Sequence, residues 1–115
     1  MLKSKLHQAR ITEADLYYEG SLTIDTDLME KADIKEYERV HVYNINSGER
    51  FETYAIAGKP GSGTIGLNGA AARKGHVGDR VIVVTYANID EEMLENYKPY
   101  ILLLDDNNEV KEIVE

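Results

Sequence analysis

The feature that most narrows the fold is a succession of short strand-like runs, each closed by turn residues. Residues 38–45 alternate, with Val40 and Val42 on one face and Arg39, His41 and Tyr43 on the other. Asn46, Ser47 and Gly48 turn the chain and residues 50–57 run back, which predicts a hairpin. Residues 5–12, 21–25, 64–67, 80–86, 100–105 and 110–114 read as further strands. The run 80–86 is apolar without alternation, so burial on both faces is expected. Asp27 and Glu30 resemble a capping box for a short helix ending near Asp33. A second helix is expected from Asp90 and is stopped by Pro99. Residues 12–16 read as a polar connection or a single helical turn, and 58–63 as a loop. A chain of 115 residues with this punctuation predicts one domain, 1–115, folded mainly as β in a compact barrel. Pattern alone does not say which barrel.

A net charge of −8 argues against nucleic acid and against anionic membrane surfaces as partners. No apolar run approaches the length of a membrane span, and the first residues have no long apolar core, so neither a span nor a secretory signal is expected. The absence of cysteine excludes disulfides, thiol nucleophiles and thiolate metal sites. His41 and His76 lack ligand-like spacing, so no metal is expected. An anionic substrate would need local cations, and Lys5, His7 and Arg50 are the candidates. In a strand Lys5 and His7 point to the same face, as a cationic pair or as solvated surface.

Chemistry enters at Tyr17-Tyr18-Glu19-Gly20-Ser21. Gly-Ser is also a common turn pair, as Gly61-Ser62 shows in the same chain. The functional reading is self-cleavage between Gly20 and Ser21. Gly20 tolerates backbone geometries that other residues resist. The Ser21 hydroxyl would attack the Gly20 carbonyl, turn amide into ester, and become a pyruvoyl group after elimination. Asn68-Gly69-Ala70-Ala71-Ala72 reads as a turn into a helical stub whose backbone N–H groups can approach a ligand.

Lys5-Leu6-His7, Thr12-x-Ala14-Asp15-Leu16-x-Tyr18-Glu19-Gly20-Ser21, Arg50-x-x-Thr53-Tyr54-Ala55-Ile56, Asn68-Gly69-Ala70-Ala71-Ala72 and Val77-Gly78-Asp79 occur in this order. Together they resemble the pyruvoyl-dependent aspartate 1-decarboxylases over nearly the whole chain. The resemblance implies a small six-stranded double-psi β-barrel with short helices, assembled as a homotetramer with active sites between subunits. It implies cleavage into a β chain, 1–20, and an α chain, 21–115. The cofactor would be the pyruvoyl group formed covalently from Ser21, with no diffusible cofactor. The substrate would be L-aspartate. Its amine condenses with the ketone, its α-carboxylate leaves as CO2, and β-alanine remains, feeding pantothenate and coenzyme A synthesis. Ser21 and Tyr54 match catalytic positions, with Tyr54 as proton donor. Thr53, Gly69, Ala70 and Ala71 match substrate-binding positions. Lys5, His7, Tyr18, Arg50 and Asn68 match residues that line the pocket, and Tyr43 stands where relatives carry another aromatic residue.

In a regular strand Arg50 and Tyr54 share a face while Thr53 points away. A bulge, action of Thr53 from another side, or a contact through its backbone would each reconcile this. Two rival readings remain at this level: a barrel of the same fold that is never processed, and a self-cleaving hydrolase that keeps a free amino-terminal serine.

Overall fold

Among the described residues nine strands form, in the order β1 (Leu2–Arg10), β2 (Glu13–Asp15), β3 (Ser21–Asp25), β4 (Arg39–Asn44), β5 (Arg50–Gly58), β6 (Ile65–Asn68), β7 (Arg80–Tyr86), β8 (Tyr100–Leu104) and β9 (Val110–Val114). One α-helix, α1 (Thr26–Ala32), follows β3. The computed structural model describes residues 1–114.

The strands form one sheet in the order β2-β6-β3-β5-β4-β7-β1-β8-β9. Three strand pairs are parallel, β3 with β5, β1 with β8 and β2 with β6. Each of β1 and β3 also has an antiparallel neighbour, β7 and β6 respectively. Parallel pairs need long crossover connections, which distinguishes this sheet from a simple meander. β5 serves two neighbours in succession: residues 50–54 pair with β4, and residues 55–58 with β3. The fold is a double-psi β-barrel, the class expected, but with nine strands where six were implied. The surplus includes the three-residue β2 and the terminal β9, which lie at the two ends of the order.

The core follows from the alternation. Leu22 and Ile24 of β3, Val40 and Val42 of β4, Ile65 and Leu67 of β6, and Val81 and Val83 of β7 are all buried. They join Leu6, Ile11, Leu102 and Leu104 in one cluster. β7 lies between β4 and β1, so its β-branched run packs on both faces. Val81, Val83, Val84 and Thr85 are buried, while Ile82 is half-buried and Tyr86 exposed.

Three local expectations are corrected. Residues 13–15 are strand rather than helical turn, because they find an open edge: Glu13, Ala14 and Asp15 pair with Gly66, Leu67 and Asn68 of β6. β1 begins at Leu2 and ends at Arg10, and Gln8 adopts φ 61° where its register against β7 shifts between Leu6 and Ala9. The cap of α1 is Asp25, not Asp27. Buried Asp25 accepts hydrogen bonds from Asp27 N (2.8 Å), Gly61 N (3.0 Å) and Gly63 N (2.8 Å). One carboxylate thus satisfies the helix start and two amides of the 58–63 loop. The second helix forms, over Glu91–Asn96, as a 3₁₀ turn with none of its residues buried.

Asp79 ties the turn before β7 to the end of β4. Its Oδ2 accepts from Asn44 Nδ2 (3.0 Å) and from His76 N (2.9 Å). The Asn44 bond first, and the His76 amide second, hold this carboxyl below its ordinary 3.8. A carboxyl whose pKa is lower folded than unfolded contributes stability that is present above 3.8 and lost as pH falls through the folded value. Urea midpoints measured from pH 6 to pH 2.5 are therefore expected to decline below about pH 4, and Asp79→Asn to flatten part of that decline.

Candidate active site

Ser21 opens β3 and is 1% exposed. Its Oγ donates to Glu19 O (3.2 Å) and accepts from Asn68 Nδ2 (2.9 Å). The same amide donates to Thr23 Oγ1 at 2.8 Å, and Asn68 is itself buried. The β3–β6 ladder sets Ser21 opposite Asn68, and the β2–β6 ladder sets Asn68 opposite Asp15. Asn68 ends β6, and Gly69–Arg73 follows as a 3₁₀ turn, the helical stub expected there. Ala70 is exposed and Ala71 buried.

Glycine freedom is used at Gly69 rather than at Gly20. Gly69 has φ 66°, whereas Gly20 does not lie in the left-handed region. A Cβ on Gly20 would meet nothing closer than Asn68 O at 4.0 Å. A Cβ on Gly69 would lie 2.8 Å from Gly20 Cα, 2.9 Å from Gly20 N and 3.0 Å from Tyr18 O.

The strand β5 is regular. Its ladder with β4 runs unbroken from Tyr43 opposite Arg50 to Arg39 opposite Tyr54. Arg50, Glu52 and Tyr54 are exposed, while Phe51 and Thr53 are half-buried. A bulge is thereby excluded as the way Thr53 reaches the Tyr54 face. Leu22 pairs with Ala55 and Thr23 with Ile56, so Ser21 is in step with Tyr54. Tyr54 lies on the Ser21 face of β3–β5, and Thr53 on the Leu22–Ala55 face. An open cleft of about 540 Å³ is lined by Glu13, Asp15, Tyr18, Thr23, Ile56 and Asn68, the last of which bonds the buried Ser21 hydroxyl. The period-two pattern of residues 21–25 already placed Thr23 with Ser21, and Ile56 belongs to the Arg50–Ile56 motif; Glu13 had no sequence signal. A larger cavity of about 940 Å³, near Arg10, Asp27 and Asn107, contains none of the Ser21 group.

The cations are elsewhere. Lys5, Val84, His41 and Glu52 form one row across β1, β7, β4 and β5, and Ile82, Tyr43 and Arg50 the neighbouring row. The Arg50 guanidinium lies 3.7 Å over the Tyr43 ring. The Tyr43 and Tyr86 hydroxyls are 2.9 Å apart, and the His41 ring meets Tyr86 edge-on at 5.1 Å. This aromatic patch was legible at Tyr43 only, since Tyr86 reaches it through the β4–β7 pairing. Tyr54 packs against Tyr37, with ring centroids 6.3 Å apart. Burial first, then the charges of Lys5 and Lys111, push the His7 imidazole below its usual 6.5, which weakens it as the second cation of the Lys5–His7 pair. Lys5 and Arg50 remain as the charges for an anion.

One chain therefore holds two separate groups. Gly20, Ser21, Asn68 and Gly69 touch, with Tyr54 one register step away. Lys5 and Arg50 lie on the β1–β7–β4–β5 rows, His7 falls in the β1 register shift and pairs with Leu103 of β8, and none of the three bonds to Ser21 Oγ. Among the described residues no three His, Asp or Glu side chains converge as metal ligands.

The family model described as aspartate decarboxylase matches residues 1–111. A protein of Ralstonia nicotianae named aspartate 1-decarboxylase is 60% identical over 113 residues, covering 98% of this chain and 94% of that protein. One of the same name from Desulfotalea psychrophila is 59% identical over 114 residues, with 99% and 96% covered. The crystal structure of the rationally designed mkDPBB_sym_86 protein superposes with a TM-score of 0.53 at 17% identity, over 70% of this chain and 95% of that one.

Proposed function

Because the chain belongs to the aspartate decarboxylase family, we propose that it is a self-processing enzyme that decarboxylates L-aspartate to β-alanine. The observation that carries this reading is the buried Ser21 hydroxyl, fixed by Asn68 Nδ2 at 2.9 Å and adjoining Gly20. In maturation the Ser21 Oγ bonds to the Gly20 carbonyl carbon, and the C–N bond breaks to leave an ester and a free amine. Loss of the Ser21 α-proton and of the Gly20 carboxylate then yields dehydroalanine and the segment 1–20. Water replaces the nitrogen, ammonia departs, and a pyruvoyl group heads the segment 21–115.

The residues present fit that group. Asn68, whose amide now holds the Ser21 hydroxyl, would hold the new carbonyl, and the cleft beside it is open to a small substrate. The ketone supplies an electron sink for the bond that breaks when CO2 leaves. Arg50 grips a substrate carboxylate through its planar fork, and Lys5 adds a second charge. Tyr54 delivers the proton to the α-carbon. Thr53 acts through its backbone or from the other side of β5. The separation of the Lys5–Arg50 face from Ser21 supports an assembly in which one copy lends its cations to another's Ser21. We take that assembly to be the homotetramer, working in the cytoplasm on the route to pantothenate.

The test is the product. Incubated with L-aspartate, the protein should release β-alanine, and borohydride added during turnover should inactivate it with substrate attached to the 21–115 segment. L-alanine as product, which marks loss of the β-carboxylate, or no CO2 at all, would contradict the proposal.

A further inference from the structure

Ser21 is held from one side by Asn68, and Gly20 is abutted by the very next residue. Asn68 Nδ2 fixes the attacking oxygen at 2.9 Å. Gly69 turns the chain at φ 66° with its Cα facing Gly20 and Tyr18 O. Two consecutive residues at the end of β6 thus control both partners of the cleavage, nucleophile and electrophile. We infer that Gly69 is a positioning residue for cleavage: its missing side chain lets the Gly20 backbone sit where the Ser21 hydroxyl can attack it. The inference rests on the self-cleavage reading above and concerns a step that precedes any contact with substrate.

The size of the effect follows from the contacts. Carbon atoms pack at about 3.5–4.0 Å. A methyl group at Gly69 would lie 2.8 Å from Gly20 Cα, with Gly20 N at 2.9 Å on the same side. These are backbone atoms, which cannot rotate aside as a flexible side chain does. Gly20 would have to retreat by about 1 Å, and misplacement on that scale slows an aligned intramolecular reaction by about 100-fold.

Three variants separate this from backbone strain. Gly69→Ala adds the methyl group and an unfavourable left-handed φ. Gly69→Asn adds the same Cβ on a residue that tolerates that φ. Gly48→Ala also sits at left-handed φ, 79°, but meets nothing within 4 Å. Each purified protein, and the parent, is followed by denaturing gel and mass during warming, with urea midpoints measured in parallel. Both Gly69 variants are expected to fold and to cleave about 100-fold more slowly than the parent, while Gly48→Ala cleaves at the parent rate. Parent-like cleavage by either Gly69 variant overturns the inference. So does failure of both to fold, which makes Gly69 a folding requirement instead. Slow cleavage by Gly48→Ala overturns it too, by tracing the effect to strain. A parent chain that never cleaves overturns the self-cleavage reading itself, a separate outcome.

Discussion

Ser21→Ala is expected to leave one uncut chain without decarboxylase activity, however long it is aged. The variant removes the hydroxyl proposed to attack Gly20 and, with it, the atoms from which the ketone would be made. Its effect on the fold is small by comparison. Asn68 Nδ2 loses one acceptor but keeps Thr23 Oγ1 at 2.8 Å. A lost hydrogen bond of this kind costs about 1 kcal/mol, and an alanine side chain fits where a buried serine stood. Urea unfolding close to that of the parent, an intact mass and no β-alanine form the expected set. An uncut Ser21→Ala protein that still made β-alanine would separate activity from cleavage and remove the ketone from the account.

Tyr54→Phe is expected to do the opposite, maturing normally and then turning over poorly. Neither hydrogen bond at Ser21 Oγ involves Tyr54, so the cleavage step does not need its hydroxyl. The ring keeps its place against Tyr37 at 6.3 Å, so packing is preserved. What disappears is the hydroxyl proposed as proton donor on the Ser21 face of β5. General-acid groups contribute about 10²–10⁴-fold, and kcat should fall by that order once the cleaved fraction is counted. Turnover at the parent rate by fully cleaved Tyr54→Phe would take the proton-donor role from this residue. An uncut variant would instead move Tyr54 into the cleavage step.

Much of this was legible before the structure, for identifiable reasons. Strand periodicity gave β3, β4 and β5, because Val40, Val42, Leu22 and Ile24 alternate with polar residues and are buried. The same periodicity put Thr53 and Tyr54 on opposite faces, and the unbroken β4–β5 ladder removes the bulge that would have reconciled them. What sequence could not give was partnership between distant segments. Residues 13–15 have no strand signature of their own and become β2 only because the edge of β6 is open. Asp27 looked like the helix cap because the two glycine amides that favour Asp25 come from a loop 36 and 38 residues further on. The burial of His7 and its proximity to Lys111, which weaken it as a cation, are likewise tertiary facts. The contact of Gly69 with Gly20 was hidden for the same cause: Gly20 is brought to it by the β3–β6 pairing.

The most direct trial of the central claim is the mass of the protein itself under denaturing conditions, freshly made and after prolonged warming. Two segments are predicted, one ending at Gly20 and one starting at position 21, the second lighter by one ammonia than a serine start and blocked to amine reagents. A single polypeptide at every time point, or a second segment with a free amino-terminal serine, would contradict it.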